Sequence, residues 1–196
     1  MNSFMVVAYY TIDTLYEQQS ERLRASCDKL KIPCHIVGIK NQGTWLKNTG
    51  YKPTFILNML KFFPTCNIIY IDVDAEFKKY PILFETFEGD IGVYVFDRRE
   101  YTRSKGGTEV LSGTIFLRNN DKVFNKIEQW EAYHKMHIAQ WDQKSLEYVL
   151  DGDFTKLPGE YCKIFDRMSF ITDPVIVHYQ ASRLIRKQKV TNLSYS

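Results

Sequence analysis

Apolar positions alternate between short continuous runs and helical stripes from the amino end onward. Phe4 to Tyr9 is a run of strand length, and Tyr10 to Asp13 turn out of it. Asp13 or Thr14 is suited to cap a helix that continues through Leu30, with Leu15, Leu23, Cys27 and Leu30 on one face and Pro33 as its interruption. Cys34 to Ile39 forms a second strand, and Lys40 to Tyr51 reads as a loop containing Gly43, Trp45, Lys47 and Gly50. Pro53 favours a helix from about Lys52 to Phe63, which Pro64 stops. Ile68 to Ile71 is then a continuous apolar run, as expected of an interior strand covered on both faces.

Strand, helix and strand in this order predict an α/β domain. The second half continues the pattern more loosely. A short helix is expected within Pro81 to Phe87, a strand over Ile91 to Phe96, a polar surface loop over DRREYTRSKGGTE, and a strand over Leu111 to Leu117. Asp121 precedes a helix reaching toward His137, and Asp142 stands where another begins, with Leu146, Val149 and Leu150 on its apolar side. Phe154 to Leu157 and Val175 to Val177 are the remaining strand-like pieces.

A length of 196 residues favours one compact domain, over residues 1–190, with a mobile tail over 191–196. The 44% hydrophobic and 25% charged content excludes wholesale disorder. A net charge of +3 gives a mild attraction to phosphate-bearing partners. Two basic clusters, Arg98 with Arg99, Arg103 and Lys105, and Arg183 with Arg186, Lys187 and Lys189, lack a nucleic-acid module and read as solvated surface, so no nucleic-acid partner is expected. Cys27, Cys34, Cys66 and Cys162 make no CxxC pair, which favours reduced thiols and a cytoplasmic location. The start, MNSFMVVAYYT, reads as a strand, since it lacks a basic n-region and a cleavage pattern, and no run has the length of a membrane span.

The chemistry concentrates at the end of the central run, where Asp72 and Asp74 follow Ile71 one residue apart. Two readings compete. Asp readily begins a turn, and two hard carboxylates beyond a strand end also suit a divalent metal in an open sheet. Elsewhere the ordinary readings are stronger: His134 and His137 lack a zinc motif, Glu109 faces solvent from its loop, and Asp142 caps the helix it opens.

The ordered segments YKPTFILNMLKFF, NIIYIDVDAEF, EVLSGTIFLRNN, WDQKSLEYVL and VIVHYQASR cover roughly residues 4–185. Together they resemble the GT-A nucleotide-sugar glycosyltransferases with an Asp-x-Asp motif, especially small chlorovirus-type viral domains. The resemblance implies a GT-A-like single domain, α/β, with a central mostly parallel sheet flanked by helices. It implies a metal-dependent transfer of sugar from a UDP- or GDP-linked donor to a glycan or glycosylated acceptor, within a virus-associated product and a host-cell cytoplasm if the chain is viral. By the same resemblance Asp72, Asp74 and His178 would hold Mn²⁺, with Mg²⁺ as the substitute. Tyr10 and Thr11 would meet the nucleoside, Lys52 and Arg183 the donor, and Ser112, Gly113 and Gln143 the sugar. Asp142 would orient the acceptor hydroxyl or take its proton. Inversion and retention stay open. So do a nucleotidyltransferase acting on a sugar phosphate and a noncatalytic sugar-nucleotide-binding module.

Overall fold

The computed structural model describes residues 3–101 and 106–181. The first half runs β1 (Phe4–Thr11), α1 (Leu15–Leu30), β2 (Cys34–Ile39), α2 (Trp45–Gly50), α3 (Lys52–Phe62) and β3 (Asn67–Ile71). Next come β4 (Ala75–Phe77), α4 (Leu83–Thr86), β5 (Ile91–Asp97), α5 (Arg98–Tyr101) and β6 (Thr108–Leu117). The chain then forms α6 (Asp121–Met136), α7 (Asp142–Leu150), β7 (Thr155–Lys156), β8 (Lys163–Ile164) and β9 (Ile176–His178). Among the described residues no helix is long and apolar enough to cross a membrane.

Six strands form the main sheet among the described residues, in the order β2-β1-β3-β6-β5-β7. The pairs β1–β2, β1–β3 and β5–β7 are parallel, while β6 runs antiparallel to both its neighbours. The sheet is therefore mixed, with parallel pairing in the majority. All five residues of β3 are buried. Ile69 and Ile71 pack with Leu23 and Cys27 of α1 on one face, and Ile68 and Tyr70 pack with Ile56, Leu60, Ile127 and Trp130 on the other. This two-sided cover is why the strand carries no polar alternation.

Local chemistry explains several boundaries. Thr14, the second of the two expected caps, accepts from the Tyr16 amide, and Lys31 ends α1 in the left-handed region. The stretch expected as a loop before Tyr51 instead contains α2, capped by Thr44 through the Lys47 amide. Asn120 caps α6, so Asp121 is its first helical residue. The expected surface loop after Phe96 contains α5 and the start of β6, and Glu109 lies on that strand paired with Arg98. Arg103 and Lys105, with residues 182–196, lie outside the described residues.

His134 joins α6 to α7. Ser145 Oγ donates to the Asp142 carbonyl at 2.8 Å and accepts from Trp130 Nε1 at 2.9 Å. His134 Nδ1, 3.1 Å from the same oxygen, is consequently the protonated nitrogen. Its Nε2 faces Gly50, where a Cβ would stand only 2.4 Å away. Gly50→Ala should therefore cost about 1–3 kcal/mol in a urea titration, despite alanine's higher helix propensity. Burial holds the His134 pKa below the ordinary histidine value, against a smaller pull upward from Asp142. The unfolded chain takes this proton near pH 6.5 while the fold resists it. Its contribution is thus complete above about pH 6.5 and lost as pH falls toward the lower folded pKa. Stability of the wild type should drop more steeply between pH 7.5 and 5.5 than that of His134→Gln, and parallel profiles would contradict this.

Candidate active site

Lys52 sets the centre of the site. It is the first residue of α3 and is 3% exposed, although a lysine at a helix start is ordinarily solvated. Its Nζ lies 2.7 Å from Asp142 Oδ2, 3.0 Å from Asp72 Oδ1, and 3.1 Å from both oxygens of Ser112. Three ammonium protons are thereby shared among four acceptors. Burial works against the lysine's charge, but Asp142 and Asp72 outweigh it and hold its pKa above the ordinary value. Asp142 is buried on the first turn of α7, and its side chain makes no cap bond. Its Oδ2 instead accepts from Ser112 Oγ at 2.8 Å as well as from Lys52.

A break in the sheet delivers Ser112 and Gly113. Val93 pairs with Ile115, whereas Tyr94 pairs with Leu111, so Ser112, Gly113 and Thr114 bulge away from β5. The same residues stay joined to the β3 side, with Thr114 opposite Ile71 and the Gly113 carbonyl accepting from the Asp72 amide at 2.8 Å. Gly113 is small for a reason of space. A Cβ there would lie 3.3 Å from Asp72 Oδ2, 3.2 Å from His178 Cε1 and 3.4 Å from His178 Nδ1.

His178 arrives through a separate sheet of β4, β9 and β8. Ala75 is opposite His178, and the Tyr179 amide donates to the Asp74 carbonyl at 3.1 Å. Thr114 donates its hydroxyl to the Tyr161 carbonyl at 3.1 Å, so at 2.8 Å its Oγ1 accepts from His178 Nε2. The other ring nitrogen, Nδ1, faces Asp74 Oδ1 at 3.8 Å. Asp74 Oδ2 accepts from the Ala181 amide at 2.8 Å.

The two carboxylates differ. Burial pushes the Asp72 carboxyl up, with Asp74 and Asp142 adding to it and Lys52 opposing. Burial also works against charge on Asp74, but the His178 ring and the Ala181 amide outweigh it and keep that carboxyl below the usual range. A proton on His178 or a metal ion beside it would offset the charge of the Asp74 carboxylate that Nδ1 faces. Among the described residues no three His, Cys, Asp or Glu side chains stand close enough to make a ready coordination shell. Asp72 Oδ1 is occupied by Lys52 and by Tyr70 Oη, which donates at 2.9 Å.

Of the remaining predicted residues, Tyr10, Thr11 and Gln143 are described. Tyr10 lies over Gly38, whose added Cβ would come within 3.1 Å of its ring. Thr11 is buried and hydrogen-bonds Thr14 at 2.9 Å, supporting the cap of α1. Gln143 is half-buried beside Asp142, and Arg183 falls outside the described residues. Two residues were missed, Tyr70 and Thr114. Each lies two positions from a predicted residue, Asp72 and Ser112, which is the spacing of one strand face.

The sequence pattern of the nucleotide-diphospho-sugar transferases matches residues 13–193. No curated protein sequence matches the chain. Among solved structures, the fold is similar to a glycosyltransferase involved in glycosylation of the major capsid of PBCV-1, with a TM-score of 0.69 and 12% identity over 91% of this chain and 93% of that one. It is also similar to the apo-form glycosyltransferase GlyE of Streptococcus pneumoniae TIGR4, with a TM-score of 0.62 and 13% identity over 91% of this chain and 55% of that one. The galactosyltransferase LgtC, solved with donor and acceptor sugar analogues, gives a TM-score of 0.59 and 11% identity over 90% and 87% of the two chains. At these identities the likeness is one of fold, a GT-A-like α/β domain.

Removing the ammonium from this site strands buried charge. Lys52→Met should cost about 3–5 kcal/mol of folding stability. Adding Asp142→Asn should recover part of that loss, because the two residues are in contact. Additive losses in denaturant titrations would show that the pair is not coupled.

Proposed function

The chain belongs to the nucleotide-diphospho-sugar transferase family, and from that premise we propose that it transfers a sugar from a UDP- or GDP-linked donor to a hydroxyl of a glycan. The observation that carries the reading is the approach of His178 Nδ1 to Asp74 beside the space that Gly113 leaves next to Asp72. Two carboxylates and an imidazole nitrogen are a donor set suited to Mn²⁺, with Mg²⁺ as a substitute. Thr114 fixes the His178 ring from behind, as a supporting partner of a metal-ligating histidine does. Bound there, the ion would stabilise charge on the departing nucleoside diphosphate.

The chain's own groups do the positioning. Tyr10 and Thr11, at the carboxyl end of β1, border the expected nucleoside side, where open α/β sheets bind ligands. Gly113 and Ser112 back the sugar, and Gln143 offers it an amide. Asp142 orients the sugar or acceptor hydroxyl. Its Oδ2, already held by Lys52 and Ser112, is poorly disposed to act as a base while that ion pair lasts. Arg183 is proposed for the diphosphate on the basis of the family resemblance. The capsid role stated for the PBCV-1 enzyme supports a glycan on a virus-associated product, and four free thiols favour a reducing, cytoplasmic setting.

Incubation with UDP-glucose, UDP-galactose, GDP-mannose and GDP-fucose in Mn²⁺ should release nucleoside diphosphate from at least one donor. Asp74→Ala and metal chelation should each remove that release. Thr114→Val should raise the Mn²⁺ concentration needed for half-maximal rate by about 10–100-fold. Full metal-dependent turnover in Asp74→Ala would refute the assignment. Consumption of a nucleoside triphosphate with pyrophosphate release would instead indicate nucleotidyl transfer.

A further inference from the structure

Of the three tryptophans, Trp130 is fully buried, while Trp45 is 37% and Trp141 53% exposed. The two exposed indoles meet edge to face, with centroids 6.0 Å apart and planes at 89°. Their places in the chain tie them to the site. Trp141 is the residue before Asp142 and the N-cap of α7. Trp45 opens α2, which leads through Tyr51 into α3 and Lys52. The Lys52–Asp142 ion pair at 2.7 Å clamps α3, the helix that follows directly on α2, to the start of α7 where Trp141 stands, so the aromatic pair lies on the rim of the same site.

We propose that Trp141, braced by Trp45, is an acceptor subsite that takes a pyranose ring of a glycan against the indole face. The inference rests on the sugar-transfer reading, and it adds where the acceptor is held. A pyranose presents a face of weakly positive C–H groups that complements the negative face of an indole. A tryptophan braced by a second ring also loses little rotamer freedom on binding. The continuity with Asp142 is what selects a sugar over a protein partner. Ile138, 70% exposed and farther from Asp142 in the chain, would join a protein interface but is not needed for stacking a sugar.

Tryptophan emission of the full chain, titrated with the methyl glycosides of glucose, galactose, mannose, fucose, rhamnose and xylose, tests the proposal. At least one glycoside should quench emission saturably in the wild type and in Asp74→Ala. Binding should weaken by about five- to ten-fold in Trp141→Ala, partly recover in Trp141→Tyr, and stay unchanged in Ile138→Ser. In donor assays, Trp141→Ala should raise the KM for that glycoside far more than it lowers kcat. No response to any glycoside, or unaltered binding by a folded Trp141→Ala, would overturn the subsite. So would a Trp141→Ala defect confined to self-association in sedimentation. Because glycoside binding is read without donor or metal, it fails independently of the Asp74→Ala test.

Discussion

A buried ammonium between two carboxylates holds this molecule's site together. Lys52 at the head of α3 joins Asp72 beyond β3, Asp142 at the head of α7, and Ser112 in the β6 bulge. Lys52 and Ser112 stand 60 residues apart along the chain. Burying the Lys52 and Asp142 charges is tolerable only because each finds the other as a partner and Ser112 Oγ hydrogen-bonds both. Tyr70 adds one such hydroxyl to Asp72 and also lies beneath the ammonium, whose nitrogen is 5.0 Å from the ring centroid.

The second constraint is the small sheet. The turn after Asp72 leads into β4, and pairing of β4 with β9 brings a histidine from the far end of the chain to Asp74. Thr114 links this sheet to the main one, since it sits opposite Ile71 on β3 while bonding His178 and the Tyr161 carbonyl. The bulge in β6 serves both connections. It frees Ser112 toward Lys52 and leaves Gly113 as the space between Asp72 and His178. A regular β5–β6 ladder would have spent those residues on cross-strand pairing.

The same ion pair shapes the surface. By joining α3 to α7 it fixes the neighbouring indoles at the rim, and the Trp130–Ser145–His134 contacts brace α7 from inside. The interior of the helical layer and the polar centre are consequently linked through one turn of backbone at Asp142.

Much of the first half was legible from local pattern. The helix through Leu30, the strand Cys34–Ile39 and the buried strand before Asp72 follow from apolar periodicity and from the prolines that interrupt it. Strands as short as β4 and β8 carry too few residues for any period to register, and α2 was hidden by its flanking glycines. Sequence also marked Asp72, Asp74, Ser112, Gly113, Asp142 and His178 as chemically notable. It could not decide that Lys52 is buried, that Asp142 forgoes its cap role, or that Thr114 stands behind His178. Those outcomes depend on contacts between distant segments, and side-chain protons and lone pairs are assigned only when the fold brings them within reach of one another. The amino-acid order determined the α/β layers and the chemical types available, while tertiary packing decided which charge each one meets.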